Sequence, residues 1–134
     1  MPPTSTNRIG RLGEHALPLA LAGIGLWVIG ALFVRVLPGV FESRWQTVAA
    51  LLAAVPMAEV LLIGTGTLLG IERAKRLPAA AWIGIVVMAC HALAMVVWPD
   101  SYGPDALAAL RGSAWLGWMA VAPTLCAWIA FERK

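Results

Sequence analysis

The stretch Gln46–Ile71 reads QTVAALLAAVPMAEVLLIGTGTLLGI, and Glu59 is its one acidic or basic side chain. Wound as an α-helix it is about 39 Å long, more than the roughly 30 Å of a bilayer's hydrocarbon core. Its apolar residues run on without alternating, and Ala, Leu and Gly dominate, so it does not read as a barrel strand. It predicts a membrane-spanning helix that closes at the charge cluster Glu72-Arg73-Ala74-Lys75-Arg76. Three runs of the same kind surround it. Ala16–Leu37 stops at Pro38-Gly39, a pair that cannot continue a helix. Pro78–Trp98 opens on a residue suited to a first helical turn and ends before Pro99-Asp100. The fourth is roughly Ser113–Phe131, with an extension back to Asp105 as the alternative, where the carboxylate is placed to cap a short interfacial turn.

Four spans, at about 16–37, 46–71, 78–98 and 113–131, make a single domain over residues 1–134. The expected fold class is all-α: a polytopic membrane protein whose short loops make successive helices neighbours in an antiparallel four-helix bundle. Composition agrees. The chain is 60% apolar and 13% charged, where a soluble domain has roughly 45–50% and about 25%. That excludes a disordered chain, a nucleic-acid-binding domain and a typical soluble enzyme.

The net charge of +3 comes from cations at span ends rather than from one basic patch. They therefore set orientation and meet anionic lipid head groups; no nucleic-acid partner is expected. Arg8, Arg11, Arg73, Lys75, Arg76, Arg133 and Lys134 fall on one side, and Arg35, Arg44 and Arg111 on the other. Seven against three places both termini in the cytoplasm, in a multi-pass protein of a bacterial inner membrane. Arg8, Arg11 and Ala20-Leu21-Ala22 imitate a signal peptide, but the apolar run continues through Val36, too long for one. Arg35, Trp45, Trp82, Trp98 and Trp115 fall near span ends and are expected as interface anchors. Cys90 and Cys126 lie inside apolar runs without metal-ligand spacing, and read as small hydrophobes.

Small residues mark where helices approach closely in lipid. Gly66-Thr67-Leu68-Leu69-Gly70 is a GxxxG, and Glu59 shares its face by helical periodicity. Span three places Ala80, Gly84, Met88, His91 and Met95 along one face; span one offers Gly23, Trp27 and Gly30. The expected helix-packing positions are Gly30, Gly66, Gly70 and Gly84. Glu59, near the middle of span two, costs several kcal/mol at that depth unless paired, protonated or wet. It is the candidate for proton or ion coupling, with structural hydrogen bonding between helices as the bland reading. His91 is expected to bond a neighbouring helix or contact a cofactor, and it meets Glu59 only if the helices tilt suitably. No metal site, no Ser/His/Asp set, no HExxH and no Walker lysine is present, and no cofactor is expected.

Leu26-Trp27-Val28-Ile29-Gly30 with Phe33-Val34-Arg35, Ala92-Leu93-Ala94 to Trp98-Pro99, and Gly112 to Trp118 carry a family resemblance. On these motifs the chain resembles a bacterial domain-of-unknown-function family of small four-helix inner-membrane proteins. The resemblance implies the four-span fold and no activity, and such proteins often have an acid where His91 stands here. Small multidrug exporters are also four-helix, but they use a Glu in the first span, and Ala16–Leu37 contains no acid. Three functional readings follow. The first is a non-catalytic accessory or scaffold subunit packing against other membrane proteins. The second is a proton-coupled transporter working as a homodimer through Glu59. The third is a subunit touching a quinone or tetrapyrrole through His91.

Overall fold

A computed structural model describes the backbone over residues 6–103 and 105–132, and the side chains over 15–98, 100–103 and 105–129. Four of the seven cations assigned to the cytoplasmic side, Arg8, Arg11, Arg133 and Lys134, lie outside the described side chains. All regular structure among the described residues is helical. Helix α1 covers Thr6–Val36, α2 Arg44–Leu68, α3 Arg76–Val97 and α4 Ala106–Glu132, with 3-10 turns at Pro38–Phe41, Arg73–Lys75 and Pro99–Tyr102. Three stretches, His15–Val36, Arg44–Leu68 and Arg73–Val97, are long and apolar enough to cross a membrane. Helix α4 is of similar length but is not among them.

Helix ends follow local chemistry. Ser43 caps α2, its hydroxyl accepting from the Gln46 amide at 3.1 Å. Asp105 caps α4 itself rather than a separate turn: one carboxylate oxygen accepts from the amides of Leu107 and Ala108 at 2.9 and 2.8 Å. Gly70 does not lie on α2. It sits just beyond the helix at φ +62°, where Ile71 N–H returns to Gly66 carbonyl and Gly70 N–H to Thr67 carbonyl. That pair of bonds is a Schellman close, which needs a residue tolerant of the left-handed region. The second glycine of the GxxxG therefore ends the helix.

The lateral order is α1–α3–α4–α2. Helices α1 and α3 run parallel: Trp82, early in α3, donates to the Ala16 carbonyl at 3.1 Å, and Arg35, late in α1, lies over the Trp98 ring just past α3. Helices α2 and α4 are also parallel, with Trp115 bonded to the Ala50 carbonyl and Cys126 near that of Val55. Helices α3 and α4 are antiparallel, joining Gly84 to Ala120 and His91 to Ser113. Of the successive pairs, only α3 and α4 pack extensively; α1 makes little contact with α2, and α2 little with α3. Loop length made these pairs plausible neighbours, but side chains selected the partners. A Cβ on Gly23 would come within 2.9 Å of Val86, and one on Gly30 within 2.7 Å of Leu116. Those glycines fit α1 against α3 and α4, and the indole donors of α4 reach α2.

The core has an aromatic end and an aliphatic end. Phe41, Tyr102, Trp115, Val34 and Leu116 are buried near the turns that follow α1 and α3. Leu19, Ala79, Ile83, Val87 and Ala120 fill the other half. A small cavity of about 40 Å³ lies between the helices, lined by Leu26, Leu62, Ala80, Gly84, Ala120 and other apolar groups, with Thr65 as the polar exception. It is large enough for a water, but its lining offers too few polar partners to hold one well.

Candidate functional site

Two places carry polar chemistry inside the apolar zone, and they are separate. His91 is buried on α3. Its Nδ1 is 3.0 Å from the Tyr102 hydroxyl, and its Nε2 is 3.1 Å from the Ser113 hydroxyl on α4. Tyr102, 1% exposed, also accepts from the Trp27 indole N–H on α1 at 3.2 Å. One arrangement satisfies the indole, phenol and imidazole donors of this network: Trp27 donates to Tyr102, Tyr102 donates to His91 Nδ1, and His91 Nε2–H donates to Ser113. The opposite tautomer would leave the buried phenolic hydrogen without an acceptor, a cost of about 1–3 kcal/mol. Burial pushes the Tyr102 hydroxyl above its ordinary titration range, against the opposing pull of the Trp27 hydrogen bond. The phenol thus stays a donor.

This chain joins α1, the turn after α3, α3 and α4. Its geometry leaves neither His91 nitrogen open. An axial ligand to a tetrapyrrole metal needs a free imidazole lone pair, so His91 serves that role only if the network breaks. Tyr102→Phe removes the acceptor of Trp27 and the donor to His91 together. It is expected to destabilise the fold by about 1–3 kcal/mol, measured by unfolding in mixed micelles, with Ser113→Ala costing less because Ser113 is only partly buried.

Glu59 is the second place. It is exposed on α2, although the buried stripe Ala54, Ala58, Leu62 and Gly66 runs beside it. It makes no hydrogen bond to another side chain and no ion pair among the described residues, where Lys75–Glu72 is the one salt bridge. Glu59 and His91 do not meet. Glu59 lies about 22 Å along α2 from Arg44, and His91 about 9 Å from the end of α3 on the same side, so they differ in depth by about 13 Å. Gly66, expected to seat a helix, instead seats the Arg76 side chain: a Cβ there would lie 3.4 Å from Nε. That nitrogen is buried without a hydrogen-bond partner. Gly66 is thereby covered by the chain that follows it, while Ile63 and Glu59 on the same face stay outside.

Gly84 and Gly30 sit at close helix contacts, against the Ala120 carbonyl and Leu116. On α3, Ala80, Gly84 and His91 are buried, but Met88 and Met95 face outward. Trp45, Trp82 and Trp98 are exposed near helix ends, and the Arg44 and Arg35 guanidinium groups lie over the rings of Trp45 and Trp98. Trp115 is not an exposed anchor. It is 3% exposed, stacks on Phe33 with ring centroids 4.9 Å apart, and donates to the Ala50 carbonyl at 3.0 Å. Trp118 donates to the Leu51 carbonyl at 3.0 Å.

Both acceptors lie just before Pro56 on α2. The carbonyl that Pro56 leaves without an amide donor is that of Leu52, so Ala50 and Leu51 accept the indoles on carbonyls whose own ladder donors, Ala54 and Val55, keep their N–H, using the second lone pair. The indole-to-carbonyl pairing was not anticipated from sequence. The signal present was two indoles three residues apart on one helix face. Arg111 likewise turns inward, donating to the Phe41 carbonyl at 3.1 Å and to that of Glu42, which ties α4 to the turn after α1. No family model, curated protein or solved structure matches this chain.

Proposed function

We propose that the chain is a four-span integral membrane protein of a bacterial inner membrane, with both termini cytoplasmic. In this reading it is a non-catalytic accessory or scaffold subunit that packs against other membrane proteins. The observation that carries this is Glu59, a carboxyl at span depth, exposed on the outside of the fold and without an ion-pair partner among the described residues. Facing acyl chains, such a group costs several kcal/mol; facing a polar side chain of another subunit, it becomes interhelical glue. The surrounding face, with Leu52 70% and Val60 69% exposed, is apolar and suited to a helix partner. The His91 network works in the same direction, because it locks four elements together and shows no open functional group.

Topology rests on charge. The turn after α2 carries Arg73, Lys75 and Arg76, and the opposite end carries Glu42, Asp100 and Asp105 beside its cations. Spanning by α4 rests on its length and on its packing between α2 and α3.

A homodimeric proton-coupled transporter is the second reading, favoured by the same exposed carboxyl. The small internal cavity does not include Glu59 among its lining residues, so a path would have to form between two copies. Gentle extraction followed by native electrophoresis and mass spectrometry separates the two. A defined complex with other membrane chains, lost in Glu59→Leu, supports the subunit. A homodimer whose pH-dependent transport disappears in Glu59→Gln supports the carrier. If the chain runs as a free monomer and Glu59→Leu only raises its stability, both readings fall.

A further inference from the structure

Because α1 and α2 leave each other unpacked, an open groove of about 520 Å³ remains between them. Phe33 and Leu37 form one wall, and Ala49, Ala53 and Met57 the other. Trp115 of α4 lines it too, as do Gly39 and Val40 of the turn after α1. The volume falls within the roughly 300–1,000 Å³ of small-molecule sites. The aromatic lining is fixed in advance. Trp115 is held by the Ala50 carbonyl and stacked on Phe33, and Phe41 meets both rings edge-on at 6.0 and 6.3 Å.

Depth and polarity narrow the occupant. The groove follows α2 from Gln46 to Met57, eleven residues or about 16 Å, close to half of a roughly 30 Å hydrocarbon core. It starts at the helix end and stops near mid-membrane, so it covers one leaflet. A transmembrane helix of a partner would have to continue through both. Its polar lining residue, Gln46, stands at the helix-end mouth, and the exposed Arg44 guanidinium, which has the Trp45 ring for company and no ion pair among the described residues, is at the same end. We propose that this groove binds one acyl chain of an anionic phospholipid, with the head group at Gln46 and Arg44. The site is independent of any partner at Glu59, which lies beyond the groove's deep end.

The test uses the full chain, delipidated in mild detergent and returned to dioleoyl phosphatidylglycerol, with bound lipid counted by native mass spectrometry. The unaltered protein is expected to keep one lipid per chain. Ala53→Phe fills the groove from an exposed position, and is expected to lower retention at least tenfold. Ala49→Phe fills it one turn nearer the mouth and provides a second variant should the first fold poorly. Arg44→Gln is expected to reduce the preference for phosphatidylglycerol over phosphatidylcholine about fivefold, the effect of one cation at an anionic lipid surface. Equal retention in the unaltered protein and either folded groove variant overturns the proposal. So does a photo-crosslinker at Ala53 that captures a protein helix from native membranes instead of lipid.

Discussion

Trp115→Ala is expected to destabilise the fold by about 3 kcal/mol. Large-to-alanine changes at buried aromatic positions cost about 3–5 kcal/mol in water-soluble proteins, and part of that is transfer free energy. In a bilayer the unfolded reference already sits in an apolar medium, so the value falls at the lower end. What remains is lost dispersion contact and the hole left behind. Trp115 stacks on Phe33, meets Phe41 edge-on, and hydrogen-bonds Ala50 on α2. Its removal opens α2 from α4 as well as emptying the aromatic end. Trp115→Phe separates the two contributions. It keeps a ring against Phe33 and loses only the indole hydrogen bond, for which about 0.6 kcal/mol is expected from similar interhelical bonds. Denaturant titration in mixed micelles measures both. Equal losses in the two variants would show that the hydrogen bond, and not the packing, holds α2 in place.

Gly84→Val carries the second large effect. A Cβ on Gly84 would come within 2.6 Å of the Ala120 carbonyl oxygen, a backbone atom that cannot rotate away. Helices α3 and α4 would have to separate along their main contact. Overpacking costs typically about 1–3 kcal/mol, and a rigid obstacle puts this change at the upper end or beyond. Gly84→Ala sets two effects against each other, a gain of about 1 kcal/mol in helix propensity and the same clash. A net loss of stability in Gly84→Ala, greater still in Gly84→Val, is the expected order. An alanine variant more stable than the parent would mean that α3 and α4 stand further apart than described. Gly64, with no neighbour within 4 Å of a built Cβ, is the control: Gly64→Ala is expected to be neutral or mildly stabilising.

Helix ends were legible where one local rule acted alone. Asp105 caps because its carboxylate reaches amides two and three residues ahead, which spacing fixes; the same rule acts at Ser43, a cap not anticipated from sequence. Gly84 and His91 fell on the expected inward face. Gly66 and Gly70 shared a spacing that fits both helix packing and helix termination, and periodicity cannot separate those uses. Met88 and Met95 shared the inward face by periodicity alone and are exposed, whereas Ala80, Gly84 and His91 of the same stripe are buried. Trp115 resembled an end-of-span anchor because linear position reports depth and not which way a ring turns.

The sequence by itself determined that the chain is helical and apolar, where proline, glycine and charge stop its helices, and which residues carry a polar group into the apolar zone; α1 begins at Thr6 and α4 at Ala106, ten and seven residues ahead of the apolar runs that marked them. Those properties follow from backbone hydrogen bonding, proline and glycine chemistry and hydropathy, all of which act within a few residues. The tertiary structure alone decided that α3 and α4 lie at the centre, and that His91 is satisfied by Tyr102 and Ser113 while Glu59 stays outside. It also decided that an open groove separates α1 from α2. Four helices of similar apolar character have no strong burial gradient to order them against one another. Their arrangement is chosen by contacts between residues far apart in the chain: a glycine against a carbonyl, an indole against a helix carbonyl, and a histidine between two hydroxyls.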